Sequence, residues 1–128
     1  MKKRYFFIAG IVMILLILIV FRLNEDTWIK DEKGIYVKHG NPSNTPIEIL
    51  EQKNIISCAN ELYKKAQLEG MDFNNQCLGN CSDFAVDIVN VPRDSMDNLE
   101  ENQCQEYLTG ELTHFIELDK DGEIVRII

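Results

Sequence analysis

Positive charge is scarce in this chain beyond its first 23 residues. Residues 24–128 hold all 21 acidic side chains but only nine of the 13 basic ones, a net charge of −12. Nucleic acids and anionic membrane surfaces are bound through clusters of Lys and Arg. We therefore expect no nucleic-acid partner, and the acidic surface favours solubility or cationic partners.

Motifs that carry catalytic chemistry are also missing. The chain has no internal repeat or low-complexity segment, and no serine lies in a nucleophile-elbow pattern. Of its two histidines, His114 alternates with Leu112 and Ile116, so we expect it on the apolar face of a strand, as a core residue rather than a ligand. His39 lies in a loop rich in Gly, Asn and Pro and is freer to act. A non-catalytic protein without a cofactor or metal is the expectation.

Charge is completely absent from the run Tyr5–Phe21, and this run is the most informative feature of the sequence. Seventeen apolar residues give about 26 Å of helix at ~1.5 Å per residue, close to the ~30 Å hydrocarbon core of a bilayer. Lys2, Lys3 and Arg4 precede the run, and basic flanks stay in the cytoplasm. The pattern predicts a single-pass membrane helix with the following residues outside the cytoplasm.

A cleaved signal peptide is the competing interpretation of the same run. Signal peptides have a shorter apolar region, ~7–15 residues, followed by small residues at the cleavage site. Bulky or charged residues occupy the corresponding positions here, from Ile19 to Asn24. We therefore favour an uncleaved anchor over residues 1–23, a polar stalk over 24–33 and one extracytoplasmic domain over 34–128.

Four cysteines, all in the predicted domain, give the second strong signal. An even number of cysteines in a small exported domain is typical of a disulfide framework. A zinc site is less favoured, because only two of the four cysteines are closely spaced. A redox motif of the C-x-x-C type is also less favoured, because three residues separate that pair. The four residues are Cys58, Cys77, Cys81 and Cys104.

The connectivity stays open at this point. Cys58 lies on the apolar stripe of a predicted helix and Cys104 on the inner side of a second one, while Cys77 and Cys81 share a predicted loop. The pairs are 58–77 with 81–104, 58–81 with 77–104, or 77–81 with 58–104.

The remaining pattern predicts an α+β domain with the order β-α-β-α-β-β. A first helix begins at Thr45-Pro46-Ile47-Glu48, which offers a capping box, and ends at Gly70. Residues 71–82 are expected to form a loop, 84–91 a strand, and 112–128 a hairpin. A second helix is expected to start at Asp94 or Ser95, with both helices on one face of a mostly antiparallel sheet. Its inner side would carry Met96, Leu99, Gln103, Cys104, Tyr107 and Leu108.

The segment Glu117–Gly122 imitates the start of a calcium-binding loop. Acidic residues occupy its first, third and fifth positions and Gly the sixth, but Ile128 stands where the loop needs Glu. A hairpin turn built on Asp121-Gly122 explains the same residues and is favoured.

Together these features predict an envelope protein whose domain binds a ligand or another envelope protein without catalysis. Two alternatives stay open. One is a thiol- or metal-dependent envelope enzyme that uses Cys77 and Cys81, with His39 as a further candidate. The other is a pilus- or secretion-type subunit that assembles through its N-terminal helix.

The predicted orientation is testable by protease protection on intact cells. An epitope at the C-terminus should be digested by external protease and one at the N-terminus should survive, because the basic flank stays inside. Protection of the C-terminal epitope in sealed cells, with digestion after lysis as the control, would reverse the topology.

Overall fold

A computed structural model describes residues 2–23, 26–74 and 76–128, and within the first helix the side chains of residues 4–21. The chain divides into two compact units. The first contains residues up to Ile29 together with Val37–Thr45, and the second contains Lys30–Tyr36 and Pro46–Ile128.

The first unit is dominated by α1, the helix Lys2–Leu23. Its window Arg4–Phe21 has a mean hydropathy of 2.7 and none of it is buried. Among the described residues, it is the one helix long and apolar enough to cross a membrane by length and composition. The helix predicted from the apolar run is therefore confirmed, and both an anchor and a signal sequence fit it.

Part of the predicted stalk is a strand. β1 (Thr27–Lys30) pairs with β2 (Tyr36–His39) in a two-stranded sheet. Within the first unit, the Trp28 indole N–H donates to the carbonyl oxygen of Asn44 at 3.0 Å, and the Lys38 ammonium lies 5.6 Å from the centre of the indole ring. Trp28 thus packs within its own unit. The predicted stalk residues Asn24 and Glu25 lie outside the described residues.

The second unit contains one long helix, α2 (Ile47–Leu68), where the sequence predicts it. The predicted capping box is wrong in detail, because Pro46 is the N-cap residue and no side chain caps the helix. The predicted end is confirmed. Gly70 has a φ of +74°, and the N–H groups of Gly70 and Met71 donate to the carbonyls of Gln67 and Ala66, which is the Schellman arrangement.

Beside α2 lies a four-stranded sheet in the order β3-β4-β5-β6. Two of the three strand pairs are antiparallel and the central pair, β4 with β5, is parallel. The α+β class and the mostly antiparallel sheet are confirmed. The strands are β3 (Cys77–Cys81), β4 (Phe84–Ile88), β5 (His114–Leu118) and β6 (Ile124–Ile127).

β3 lies in a segment that the sequence predicts to be a loop. Cys-Leu-Gly-Asn-Cys has no β-branched residue and no alternation, so local propensity does not favour a strand. The cysteine at each end is bonded to a residue far along the chain. Tertiary bonds therefore hold β3 at the sheet edge where its own residues would not.

A β-bulge in β3 turns its two cysteines to opposite faces of the sheet. Cys77 and Gly79 are two residues apart in β3, but their partners in β4, Asp87 and Val86, are adjacent. In a regular strand, residues four apart point to the same face. Because of the bulge, Cys81 shares the face of Phe84, and Cys77 that of Asp87.

One face of the sheet packs on α2 and forms the hydrophobic core. The disulfide Cys58–Cys81 joins the helix to this face, and Ala59 of α2 has no exposed surface against the strands. The buried members of the core are Ala59, Cys81, Val86, Ile88, Ile116, Leu118 and Ile127.

The opposite face is covered by the connection between β4 and β5. Parallel neighbours need a crossover that passes over one face, and the chain uses the face that α2 leaves free. The disulfide Cys77–Cys104 joins the crossover to this face, and Tyr107 meets Phe115 of β5 edge to face, with ring centres 5.3 Å apart. The prediction that both helices lie on one face of the sheet is therefore wrong, because α2 covers one face and the crossover covers the other.

The predicted second helix is broken into three short pieces. They are two 3₁₀ turns, Ser95–Asn98 and Glu100–Asn102, and the single helical turn α3, Gln105–Leu108. Asp94 caps the first turn as predicted, but Leu99 and Gln103 have extended backbones that interrupt the helix.

The tight turn between β5 and β6 confirms the hairpin over the calcium loop. The Asp119 carboxylate accepts the N–H groups of Asp121 and Glu123, both at 2.9 Å, and so is used within the turn. Gly122 has a φ of +83°, and a Cβ there would lie 2.7 Å from the Tyr63 ring. The Asp119 side chain therefore stabilises the turn, and Gly122 lies in close contact with Tyr63 of α2.

Gln52 provides a test of how the loop before β2 is held in the second unit. Its side chain is only 8% exposed, accepts the N–H of Tyr36 at 2.8 Å and donates to the carbonyl of Gly34 at 2.9 Å. We expect Gln52→Ala to lower the free energy of unfolding by about 1–3 kcal/mol, because both backbone groups lose their partner. Urea unfolding measures this, with the exposed Gln67→Ala of the same helix as control. Equal effects of the two substitutions would contradict the prediction.

Candidate functional site

An open groove runs beside the first half of α2, and we call it the α2 groove. Its volume is about 620 Å³, within the range of ligand sites. It is bounded by α2, by the turn between β3 and β4, and by the adjoining ends of β5 and β6. Its lining consists of Lys30, Tyr36, Glu48, Glu51, Gln52, Asn54, Ile55, Ser82, Asp83, Phe84, His114, Ile127 and Ile128.

Aromatic and aliphatic side chains form part of this lining. The rings of Phe84 and His114 stack with their centres 4.9 Å apart and their planes 30° from parallel. Ile55 of α2 and Ile127 of β6 also line the groove. Such surfaces hold the apolar part of a ligand by removing it from water.

His114 occupies the predicted face but is not a core residue. It follows the alternation of Ile116 in β5, yet its side chain is 46% exposed because it is the first residue of the strand. Its Nδ1 lies 3.4 Å from a carboxylate oxygen of Asp83 and 3.2 Å from the hydroxyl of Thr113. The expectation of a buried histidine was wrong, and the residue belongs to the groove.

The charged groups of the groove are mostly acidic. Glu48 and Glu51 are exposed on neighbouring turns of α2, and Asp83 contributes a third carboxylate from the turn. Lys30 is the lysine of the lining, and its ammonium lies 5.0 Å from the centre of the Tyr36 ring. The balance of charge favours a cationic ligand.

A second cluster of charges, which we call the charged cluster, lies on the opposite face of the sheet. Strand pairing aligns Asp87 of β4, Glu117 of β5 and Arg126 of β6 in one row. Glu117 is only 5% exposed, and its carboxylate accepts hydrogen bonds from Nε and Nη2 of Arg126 at 3.0 and 3.1 Å. Arg93, from the segment after β4, binds the same carboxylate. Glu117 is therefore paired with two guanidinium groups.

The carboxyl of the neighbouring Asp87 has a shifted pKa. Burial, and after it the neighbouring Glu117 carboxylate, raise the pKa of the Asp87 carboxyl to about 6. The backbone N–H of Cys104 and the charge of Arg93 act in the opposite direction but are weaker. Asp87 thus loses its proton around pH 6.

The Asp87 carboxylate also lies against the disulfide Cys77–Cys104. One of its oxygens is 3.1 Å from the Cys104 sulfur, which has no S–H proton to donate while the disulfide is intact. The contact is therefore a close packing of an acid on a disulfide rather than a hydrogen bond. A small cavity of about 120 Å³ lies beside the cluster, between the sheet and the crossover.

All four cysteines form disulfides, in the pairing 58–81 with 77–104. Among the described residues, one group of three metal-type side chains comes together, namely Cys77, Asp87 and Cys104, with their ligand atoms within 4.8 Å of one another. The two sulfurs of that group are bonded to each other and offer no thiolates. The two disulfides lie on opposite faces of the sheet, so the four sulfurs do not surround one metal ion.

His39 and the cysteines belong to different units. It is an exposed residue at the end of β2 in the first unit, whereas both Cys77 and Cys81 belong to the second. Cys77 and Cys81 are bonded to different partners and not to each other. An enzyme that uses these residues stays a prediction.

The charged cluster was not among the sites predicted from the sequence, although its acidic residues leave a signal there. Asp87 interrupts the apolar run Phe84–Val91, and Glu117 interrupts Phe115–Leu118. A single acidic residue inside an apolar strand is costly to bury unless it is paired. Such residues mark a position where the opposite face of a sheet is covered by a polar layer.

Comparison of the chain with protein-family models, with curated proteins and with solved structures finds no match.

The acidity of Asp87 predicts how stability depends on pH. An unfolded Asp has a pKa near 3.9, so between pH ~4 and ~6 the folded chain binds more protons at Asp87 than the unfolded chain. The cost of ionising Asp87 in the fold is therefore small at pH 4 and almost complete above pH 6. We expect Asp87→Asn to raise the free energy of unfolding at pH 7 by about 1–2 kcal/mol and to give little advantage at pH 4.

Urea unfolding of both proteins from pH 4 to pH 7.5 measures this difference. Glu61→Gln, at an exposed position of α2 outside the charged cluster, is the control for the loss of one carboxylate. A constant difference between the Asp87 variant and the parent at every pH would contradict the prediction.

Proposed function

We propose that the chain is a single-pass membrane protein whose extracytoplasmic domain binds a basic, partly apolar peptide segment of another envelope protein in the α2 groove. The observation that carries the proposal is the groove itself, with apolar and aromatic side chains in its lining and carboxylates along it. The role is binding rather than catalysis.

The membrane part of the proposal rests on α1 and its flank. An exposed helix of this hydropathy needs an apolar environment, since its side chains find no protein partner in its window. The basic residues before it favour a cytoplasmic N-terminus. Two disulfides in the second unit agree with an oxidising compartment for the domain.

The ligand class follows from the charges and surfaces of the groove. Glu48, Glu51 and Asp83 offer carboxylates for lysine or arginine side chains, and electrostatic complementarity of this kind selects partners. The stacked rings of Phe84 and His114 suit aliphatic or aromatic side chains of the same segment. An anchor on the same membrane as the partner raises the effective concentration of both.

The test uses the full chain in nanodiscs of neutral lipid and two synthetic octapeptides. One alternates lysine with leucine, and the other replaces every lysine with glutamate. We expect the lysine peptide alone to bind, and Glu51→Lys to weaken that binding about tenfold, because an attractive charge in the groove becomes repulsive.

Glu61→Lys is the matched control, since Glu61 is an exposed residue of the same helix that does not line the groove. Both substitutions change the net charge by the same amount. Equal weakening by the two variants would show only a general attraction to an acidic surface, and the groove would be rejected as the binding site.

A further inference from the structure

We propose that the disulfide Cys77–Cys104 is redox-active: it exchanges with a dithiol, and Asp87 supplies the proton to the Cys104 sulfur that leaves. The inference concerns the charged cluster and goes beyond peptide binding in the α2 groove. Neither depends on the other, because the two sites lie on opposite faces of the sheet.

The two cysteines of this disulfide differ in their exposure to solvent. Cys77 is half-buried at the start of the edge strand β3, whereas Cys104 has no exposed surface. Exchange begins when a dissolved thiolate attacks one sulfur and expels the other. Access therefore selects Cys77 as the attacked sulfur and Cys104 as the leaving one.

Asp87 lies where the charge of the leaving sulfur develops. Its carboxyl oxygen is 3.1 Å from the Cys104 sulfur, and the Cys77 sulfur is within 4.8 Å of the same group. A thiolate expelled into a buried position is costly without a proton or a compensating charge. A protonated carboxyl at this distance provides the proton directly.

The exchange balances without any further reagent. One thiolate of the dithiol forms a bond to the Cys77 sulfur, the Cys77–Cys104 bond breaks with its electron pair on Cys104, and the Asp87 proton moves to Cys104. The second thiol of the dithiol then loses its proton to solvent and attacks the other dithiol sulfur, the one bonded to Cys77. Cys77 leaves as a thiolate and takes a proton from water. The dithiol is oxidised to a disulfide, and the pair Cys77 and Cys104 is reduced.

Burial and the charged groups around Asp87 place its pKa at about 6. The acidic residue Glu117 of β5 favours the protonated carboxyl, while the Cys104 N–H of the crossover and the Arg93 guanidinium favour the ionised one. The other titratable or charged residues that line the same small cavity are Asp97, Tyr107 and Arg126.

The second disulfide is a control within the same molecule. Cys58–Cys81 also joins a half-buried cysteine to a buried one, with Cys81 at 2% exposure. Among the described residues, no carboxylate is grouped with its sulfurs as Asp87 is with Cys77 and Cys104. The two disulfides thus differ chiefly in the neighbouring acid.

The experiment measures the reduction of each disulfide separately in the full chain in detergent micelles. Dithiothreitol is added at several pH values between 5 and 8, samples are acid-quenched and alkylated, and peptide mass spectrometry follows each pair. Each rate is divided by the thiolate concentration at that pH, because the thiolate is the attacking species. For Cys77–Cys104 we expect this normalised rate to fall about tenfold as Asp87 ionises, since a like charge then opposes the leaving thiolate. For Cys58–Cys81 it should stay constant.

Asp87→Asn removes the titrating group and should make the normalised rate of Cys77–Cys104 constant over the same range. Circular dichroism checks that the variant is folded, and the comparison of the two disulfides in the parent protein needs no variant. Identical pH profiles for the two disulfides, a slope that persists in Asp87→Asn, or a Cys77–Cys104 bond that resists reduction in the folded chain would each overturn the proposal.

Discussion

The bulge between Cys77 and Gly79 is the constraint on which the layered structure of the second unit depends. Because it adds one residue to β3, the two cysteines of that strand point to opposite faces of the sheet. Each then bonds a different covering segment, α2 on one side and the crossover on the other. A short edge strand with little propensity of its own thus joins three layers.

The parallel pairing of β4 with β5 has an equally specific consequence. It sends the connecting chain across the face that α2 leaves free, and that connection is too broken to bring a continuous apolar stripe. Arg93 and the backbone of Cys104 come to lie over Asp87 and Glu117 instead. The second face is therefore a polar layer with paired charges, where an acid and a disulfide become neighbours.

The sequence predicted several elements of the fold but not the candidate site. α1, α2 and the β5–β6 turn carry strong local signals, namely an uninterrupted apolar run, helical spacing with a terminal Gly, and Asp-Gly between alternating residues. The α2 groove was not predicted, because its lining joins Glu51, Asp83 and His114 from distant parts of the chain. His114 was assigned to the core from its alternation alone, and its exposure depends on where β5 starts.

Taken by itself, the sequence determined which segments are apolar, which ends are charged, and that four cysteines were available for bonding, because these are properties of composition and local spacing. Only the tertiary structure decided which cysteines pair, which face each covers, and that Asp87 lies 3.1 Å from a sulfur 17 residues away. Those outcomes follow from strand register, and a shift of one residue in register moves a side chain to the other face.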